Sequence, residues 1–293
     1  MWAIFSISAA FVWALVNTID KYVLSKRVDK PMIIIVIGGF VMPISGLFVY
    51  LLHSLPNLSP LNILLALIAG TFYVLSGVFY LKSLKSEEMS RVIPLLSFSS
   101  LFVLLFATLF LNEIFTPLKY LGIFLLLVGA FLVSSKDFLK IKLGRAFWFM
   151  VLASLAGAIN ATLSKYLLKF TDFWTVFAYT RMGGILPLIP IAYFYFPELI
   201  TATKRYGKKA VTLIVGNSIL NILGLFLFTI AISLGPVTMV NALGAVQPFF
   251  VLLIAVILTI FYSEIIKEEI GKSTISLKLF GIILIFVGVI LIT

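Results

Sequence analysis

The chain has no cysteine, a single histidine, His53, and a single glutamine, Gln247. Disulfides and thiol chemistry are therefore excluded, and a Cys/His zinc cluster cannot be assembled. Charge is scarce as well: 11% of the 293 residues are Asp, Glu, Lys or Arg, and only 11 are acidic. Nor does the chain contain GxxxxGK[ST], HExxH or GxSxG. Nucleotide hydrolysis, zinc proteolysis and the usual serine-hydrolase geometry thus lack their signatures, and neither a catalytic residue, a metal ligand nor a cofactor is expected. Apart from Asp20, every acid lies at the end of an apolar run or between runs. A deep carboxylate for shuttling protons is not expected, and the sequence does not establish proton coupling.

What the chain has in excess is apolar surface, with 62% hydrophobic residues and a mean hydropathy of +1.20. A soluble domain of this length cannot hide that much, so lipid is its solvent. A hydrocarbon core of roughly 30 Å takes about 20 residues per helix. On that ruler ten spans are expected: Trp2 to Leu24, Pro31 to Leu52, Leu61 to Leu81, Val92 to Leu111, Pro117 to Val133, Phe147 to Leu168, Phe173 to Phe196, Ala210 to Leu234, Pro236 to Tyr262 and Leu277 to Ile292. Helices are the expected element, since a barrel would alternate in strands of about ten residues. No basic leader precedes the first run, so it reads as a true span and not as a removable signal. Pro43, Pro94, Pro187, Pro190 and Pro248 fall inside spans, where each frees a carbonyl and invites a kink.

Net charge is +11, which could suggest a nucleic-acid partner, but the basic residues fall in short clusters between the apolar runs. No nucleic acid is therefore expected; the pattern is one of membrane topology. Linkers 1-2, 3-4, 5-6, 7-8 and 9-10, with Lys278 at the adjoining end of the tenth span, hold seventeen Lys or Arg, and the others, with Lys119 at the adjoining end of the fifth span, only Lys119 and Lys169. The positive-inside rule then puts the odd linkers in the cytoplasm and both termini outside the cell membrane.

The sequence also repeats itself. ALVNTIDKYVL at Ala14 to Leu24 returns 144 residues later as AINATLSKYLL at Ala158 to Leu168. Further on, Gly70 aligns with Gly216, Leu84 with Ile232, and Gly122 and Gly129 with Gly281 and Gly288. Five spans per copy place Lys21 and Lys165 in antiparallel helices. The expected architecture is an all-α membrane protein whose ten transmembrane helices form two inverted five-helix repeats, residues 1-138 and 139-293, with a site near the pseudo-two-fold axis.

Three motifs carry a resemblance. Trp13, Ala14 and Lys21 stand as WAxxxxxxK; Thr180 to Pro190 contains RxxxxxLPxxP; and Asn112 to Leu132 gives ExxxxxxxxGxxxxxxG. With two copies of about 140 residues, the chain resembles the EamA-type members of the drug/metabolite transporter superfamily over nearly its whole length. The resemblance implies a multi-pass carrier of small organic metabolites or amino acids, an exporter working by alternating access. It departs from the pattern at Gly157, which stands opposite Trp13, at Val36, which stands opposite Arg181, and at Glu264, Glu268 and Glu269, which lie further from Gly281 than Glu113 does from Gly122. The family is usually drawn with cytoplasmic termini, against the charge pattern. An intramembrane lipid-modifying enzyme and a channel stay open as other readings.

Candidate substrate-binding residues follow from polarity inside spans. Arg181 sits about eight residues into its span, where a cation costs on the order of 2.5 kcal/mol unless paired or hydrated; its fork of donors suits a carboxylate, although snorkelling to the interface would also explain it. Asn217 and Asn221 share a helix face, with Gly224 continuing the stripe, and Asn241 and Gln247 follow in the next span. Tyr73, Tyr80 and Trp13 offer aromatic wall surface. Lys21 and Lys165, ending the two TxxKY copies, suit either a gate or interfacial anchors, and Asp20 an ion pair or helix end. The implied partners are a small-molecule substrate and the lipid bilayer.

Overall fold

A computed structural model of the chain describes residues 1–87, 92–134, 144–261 and 272–293. Among these residues no strand occurs. In chain order the helices are α1 (Trp2–Lys26), α2 (Pro31–Gly39), α3 (Val41–Leu52), α4 (Pro60–Ser86), α5 (Phe98–Phe106), α6 (Pro117–Ser134), α7 (Arg145–Leu167), α8 (Phe173–Met182), α9 (Ile185–Phe194), α10 (Phe196–Tyr206), α11 (Lys208–Leu234), α12 (Val237–Leu243), α13 (Gln247–Phe261) and α14 (Lys272–Ile292). Seven stretches are long and apolar enough to cross a membrane, with α2 and α3 acting as one, α8 and α9 as another, and α12 continuing into α13. Three shorter apolar helices, Leu95–Leu111, Pro117–Leu132 and Leu279–Ile292, accompany them. Glu264, Glu268 and Glu269 lie outside the described residues, as does the end of the ninth expected span at Tyr262.

Local chemistry explains where helices start. Pro31 and Pro60 occupy first-turn positions, where no amide is needed, and Ser59 accepts a hydrogen bond from Asn62 N at 3.3 Å. Asp172 caps α8 by accepting from Thr175 N at 3.0 Å. Asn112, left-handed at φ 57°, ends the π turn Ala107–Leu111 that follows α5; asparagine tolerates this conformation because its side chain bonds locally.

The in-span prolines sit where spans are broken. Pro43 and Pro187 lie in the first turns of α3 and α9, Pro248 in that of α13, and Pro94 in the 3-10 turn Ile93–Ser97. Their missing amides therefore cost little, and Pro190 is the one that lies deeper in its helix. The single kinked span expected for each of these segments is in fact a pair of helices meeting at Gly39-Phe40, Gly183-Gly184 and the 3-10 turn Gly244–Val246. The stretch 196 to 206, expected as linker, folds as α10. Its Ala202 is buried, its acid Glu198 is in the first turn and Lys204 and Arg205 are in the last, each matching the helix dipole.

The two halves interleave. The most extensive pairings are α6 with α14, α4 with α7, α1 with α11 and α3 with α8, each joining one half to the other. Glycines permit the closest approaches: a Cβ on Gly70 would collide with Thr180 O, and one on Gly183 with Leu67 O. Large apolar side chains such as Ile44, Phe48, Leu51, Tyr193, Phe194 and Ile290 face outward, while Asn17, Asn160, Thr180, Arg181 and Asn217 are buried. Apolar outside and polar inside is the polarity of a chain solvated by lipid.

Candidate functional site

Between the halves lies a cavity of about 310 Å³. Its wall takes Trp13 and Asp20 from α1, Tyr73 and Tyr80 from α4, Gly157 from α7, and Asn217 and Asn221 from α11. The two 3-10 turns contribute as well, through Ile93, Leu96 and Ser97 on one side and Gly244 and Ala245 on the other. Irregular backbone at membrane depth is tolerated where it borders a polar cavity, which accounts for both interruptions lying here.

The polar side chains tie one half to the other across this space. Asn221 Oδ1 accepts from Trp13 Nε1 at 3.0 Å and from Tyr73 Oη at 3.0 Å, and its Nδ2 lies 2.8 Å from Tyr73 Oη. One amide therefore holds two aromatic side chains of the opposite half. Gly224 makes room for the first of them: a Cβ there would meet Trp13 Nε1 at 2.7 Å. One turn earlier, Asn217 Nδ2 donates to Asp20 Oδ1 at 2.8 Å and to Val16 O at 3.3 Å. Ser100 Oγ is 3.1 Å from Asn241 Oδ1, Ser76 Oγ donates to Ala153 O at 2.8 Å, and Asn160 Nδ2 donates to Ala69 O at 2.8 Å. Several buried polar atoms have no hydrogen-bond partner among the described residues, including Asn17 Nδ2, Asn217 Oδ1 and Tyr80 Oη, all on side chains that line the cavity.

Of the expected substrate-binding residues, Trp13, Tyr73, Tyr80, Asn217, Asn221, Asn241 and Gln247 meet at this cavity. Arg181 does not line it. It is 1% exposed, and its guanidinium stacks on the Tyr73 ring at 5.2 Å and on Phe177 at 5.5 Å. Its one described hydrogen bond runs from Nη2 to Thr180 Oγ1 at 3.3 Å, while Nε and Nη1 have none. The side chain does not snorkel to the interface; it meets the cavity wall through the Tyr73 ring.

The expected gate residues are also placed differently. Asp20 forms no ion pair among the described residues; it faces the cavity, with Asn217 as its side-chain partner. Lys21 Nζ donates to Leu84 O and Glu87 O, both at 3.0 Å, and Lys165 Nζ donates to Ile232 O at 2.7 Å and Gly235 O at 2.8 Å. Both sets of bonds close within a half, fastening the end of one helix to the end of another. Sequence reading missed Ser97, Ser99, Ser100 and Ser154, whose only signal is a cluster of small hydroxyls beside Pro94 and another on the α7 face one turn before Gly157. It also missed the work of Glu113, whose two carboxylate oxygens accept from Val237 N at 2.9 Å and Thr238 N at 3.0 Å and so cap α12. Among the described residues no group of three or more His, Asp and Glu is placed to hold a metal.

The polar cavity walled by interleaved apolar helices can be set beside known proteins. Residues 1–135 match the EamA-like transporter family. The match covers a little under half of the chain. A solved structure, described only as the crystal structure of a protein, superposes on it with a TM-score of 0.73 at 13% identity, covering 99% of this chain and 97% of that one. At such identity the likeness speaks for a shared fold alone. No curated protein matches the chain. Seven helical stretches long and apolar enough to cross a membrane, beside the match of residues 1–135 to a transporter family, support a multi-pass membrane protein.

Proposed function

We propose that this chain is an EamA-type carrier that exports small organic metabolites or amino acids across the cell membrane by alternating access. The carrying observation is the central cavity, walled by both halves and held by polar ties that run between them. Trp13, Tyr73, Tyr80, Asn217, Asn221, Asn241 and Gln247 contact the substrate. Arg181 acts as a positioning residue behind Tyr73, and Lys21 and Lys165 keep each half rigid as it moves. On this reading the three shorter apolar helices complete ten crossings, and residues 1-138 and 139-293 are inverted repeats. The repeated lysine clamp supports that symmetry, because Leu84 and Glu87 hold the same spacing as Ile232 and Gly235.

Orientation follows from the segregated loops. Arg205 bonds Asp29 at 2.9 Å, Lys30 pairs with Glu198, and Lys85 donates to Asp29 O, so linkers 1-2, 3-4 and 7-8 meet on one face. Glu113, Gly235 and Lys169, which reaches Leu111 O at 3.5 Å, gather the sparsely charged linkers on the other. The basic face is cytoplasmic and both termini are outside.

Counterflow in proteoliposomes against a panel of amino acids and small metabolites tests the reading. Saturable uptake, stimulated by the same solute on the far side, is expected. Flux that neither saturates nor responds to the far side would make the protein a channel, and chemical change of a lipid without flux would make it an enzyme.

A further inference from the structure

We infer that the cavity selects a small organic cation, whose protonated amine sits against the Asp20 carboxylate while its apolar body lies along Trp13, Tyr73 and Tyr80. The inference deepens the carrier reading and rests on it. Among the described residues, Asp20 is the only charged side chain on the cavity wall. A carboxylate removed from bulk water needs a counter-charge or several donors. Asp20 has one side-chain donor, Asn217 Nδ2 at 2.8 Å, which occupies Oδ1; no described bond reaches Oδ2, and no described ion pair includes the residue.

The surroundings of Asp20 favour a donor-rich cation as the missing partner. Asn217 Oδ1 and Tyr80 Oη are buried without a hydrogen-bond partner among the described residues, and both can accept from an ammonium. Trp13, Tyr73 and Tyr80 also line the cavity, and an aromatic ring attracts a desolvated cation through its negative quadrupole. Other ionisable groups are directed elsewhere. Tyr73 Oη is engaged with Asn221, Lys21 Nζ with Leu84 O and Glu87 O, Lys165 Nζ with Ile232 O and Gly235 O, and Arg181 stacks behind Tyr73. A substrate carboxylate would therefore enter a cavity whose wall carries one carboxyl group and, among the described residues, no cation. The amine is recognised and the carboxylate is not, so amines are preferred over the corresponding amino acids.

Four probes on one scaffold separate these charges: tyramine, tyrosine, 4-ethylphenol and 4-hydroxyphenylacetate. The full chain in proteoliposomes is assayed by counterflow competition and, in detergent, by ligand-induced thermal stabilisation. Tyramine is expected to act at concentrations about tenfold lower than any of the other three, the scale of one charge-assisted contact. Asp20→Asn should bring tyramine to within about threefold of neutral 4-ethylphenol, and Asp20→Glu should keep the preference for the amine. The melting temperature of each variant checks folding, and Asp20→Asn, which is isosteric and removes a charge, is the variant expected to fold. Equal or better action of tyrosine or 4-hydroxyphenylacetate on the wild type, or an undiminished amine preference in Asp20→Asn, overturns the inference while leaving a carrier. A wild type that moves solutes but shows no response to tyramine overturns it too. A wild type that moves no solute of any charge removes the carrier reading itself, and this inference with it.

Discussion

Lys21 and Lys165 make the same contact at two places in the fold: each ammonium bridges two carbonyls three residues apart at the C-terminal end of a long helix, α4 for Lys21 and α11 for Lys165. A cation there meets the negative end of the helix dipole and satisfies carbonyls that have no amide partner of their own. Lys165→Met and Lys21→Met should each cost about 1.5–3 kcal/mol, the worth of hydrogen bonds to a charged group. The two clamps are separate, so the losses should add in the double variant, within about 0.5 kcal/mol. Melting temperatures in detergent decide this, and an unchanged melting temperature in Lys165→Met would show the clamp to be incidental.

The crossing of α6 and α14 depends on paired glycines. A Cβ on Gly122 would lie 3.1 Å from Gly288 O, and one on Gly129 would lie 2.6 Å from Gly281 O, with backbone that cannot rotate away. Gly129→Leu is expected to destabilise by about 1–3 kcal/mol or more through overpacking. Gly216 offers the contrast, because a Cβ there meets nothing within 4 Å. Gly216→Ala should be neutral or slightly stabilising, since alanine is favoured over glycine inside a helix by roughly 0.5–1 kcal/mol. Thermal unfolding of both variants side by side tests the difference.

Arg181 is buried with two of its three nitrogens unpartnered among the described residues. A buried charge without a counter-charge is costly, and even a whole buried ion pair can often be replaced by apolar side chains with no loss of stability or a gain of about 1–4 kcal/mol. Arg181→Met should therefore keep or raise the melting temperature. Because Tyr73 loses the cation stacked on its ring, KM for transport should rise a few-fold with kcat little changed. Complete loss of transport with normal folding would mean that Arg181 touches the substrate after all.

Opposite sides of the bilayer are expected for Lys26 and Thr293. Single cysteines placed at these positions in a chain that has none should show opposite access to an impermeant thiol reagent. Labelling of the Lys26 site from outside and the Thr293 site from inside would invert the orientation.

α10 is held to the basic face by Asp29, and pH should release it. The hydrogen bond from Tyr206, with Arg205 nearby, holds the Asp29 carboxyl below its ordinary value of 3.8, although partial burial opposes this. Burial, and then the bond to Asp29, pushes the Tyr206 phenol up to about 12. A depressed carboxylate stabilises above its unfolded value and is lost as pH falls through the folded one; a raised phenol stabilises below its unfolded value and is lost as pH rises through about 12. The dock should thus be firm at neutral pH and loosen at both extremes. An environment-sensitive dye on Thr201→Cys reports it, and Asp29→Asn should loosen α10 at neutral pH and erase the acid transition.

The sequence by itself determined the solvent of this protein, because hydropathy is a sum over single residues and needs no knowledge of neighbours. It also revealed the internal repeat and the aligned landmarks Lys21 with Lys165 and Gly122 with Gly281. Helical periodicity put Asn217 and Asn221 on one face, and polarity inside spans singled out most of the residues that meet at the cavity. Only the tertiary structure decided what those residues touch. Arg181 stacks behind Tyr73, where depth in the span alone had suggested a carboxylate site, because the neighbour that covers it lies more than a hundred residues away in the chain. Asp20 faces the cavity without a cation, and Lys21, its neighbour in sequence, turns to carbonyls, because successive helical residues point about 100° apart. Local energies can be read from a string of residues, but the pairing of distant helices that interleaves the halves cannot.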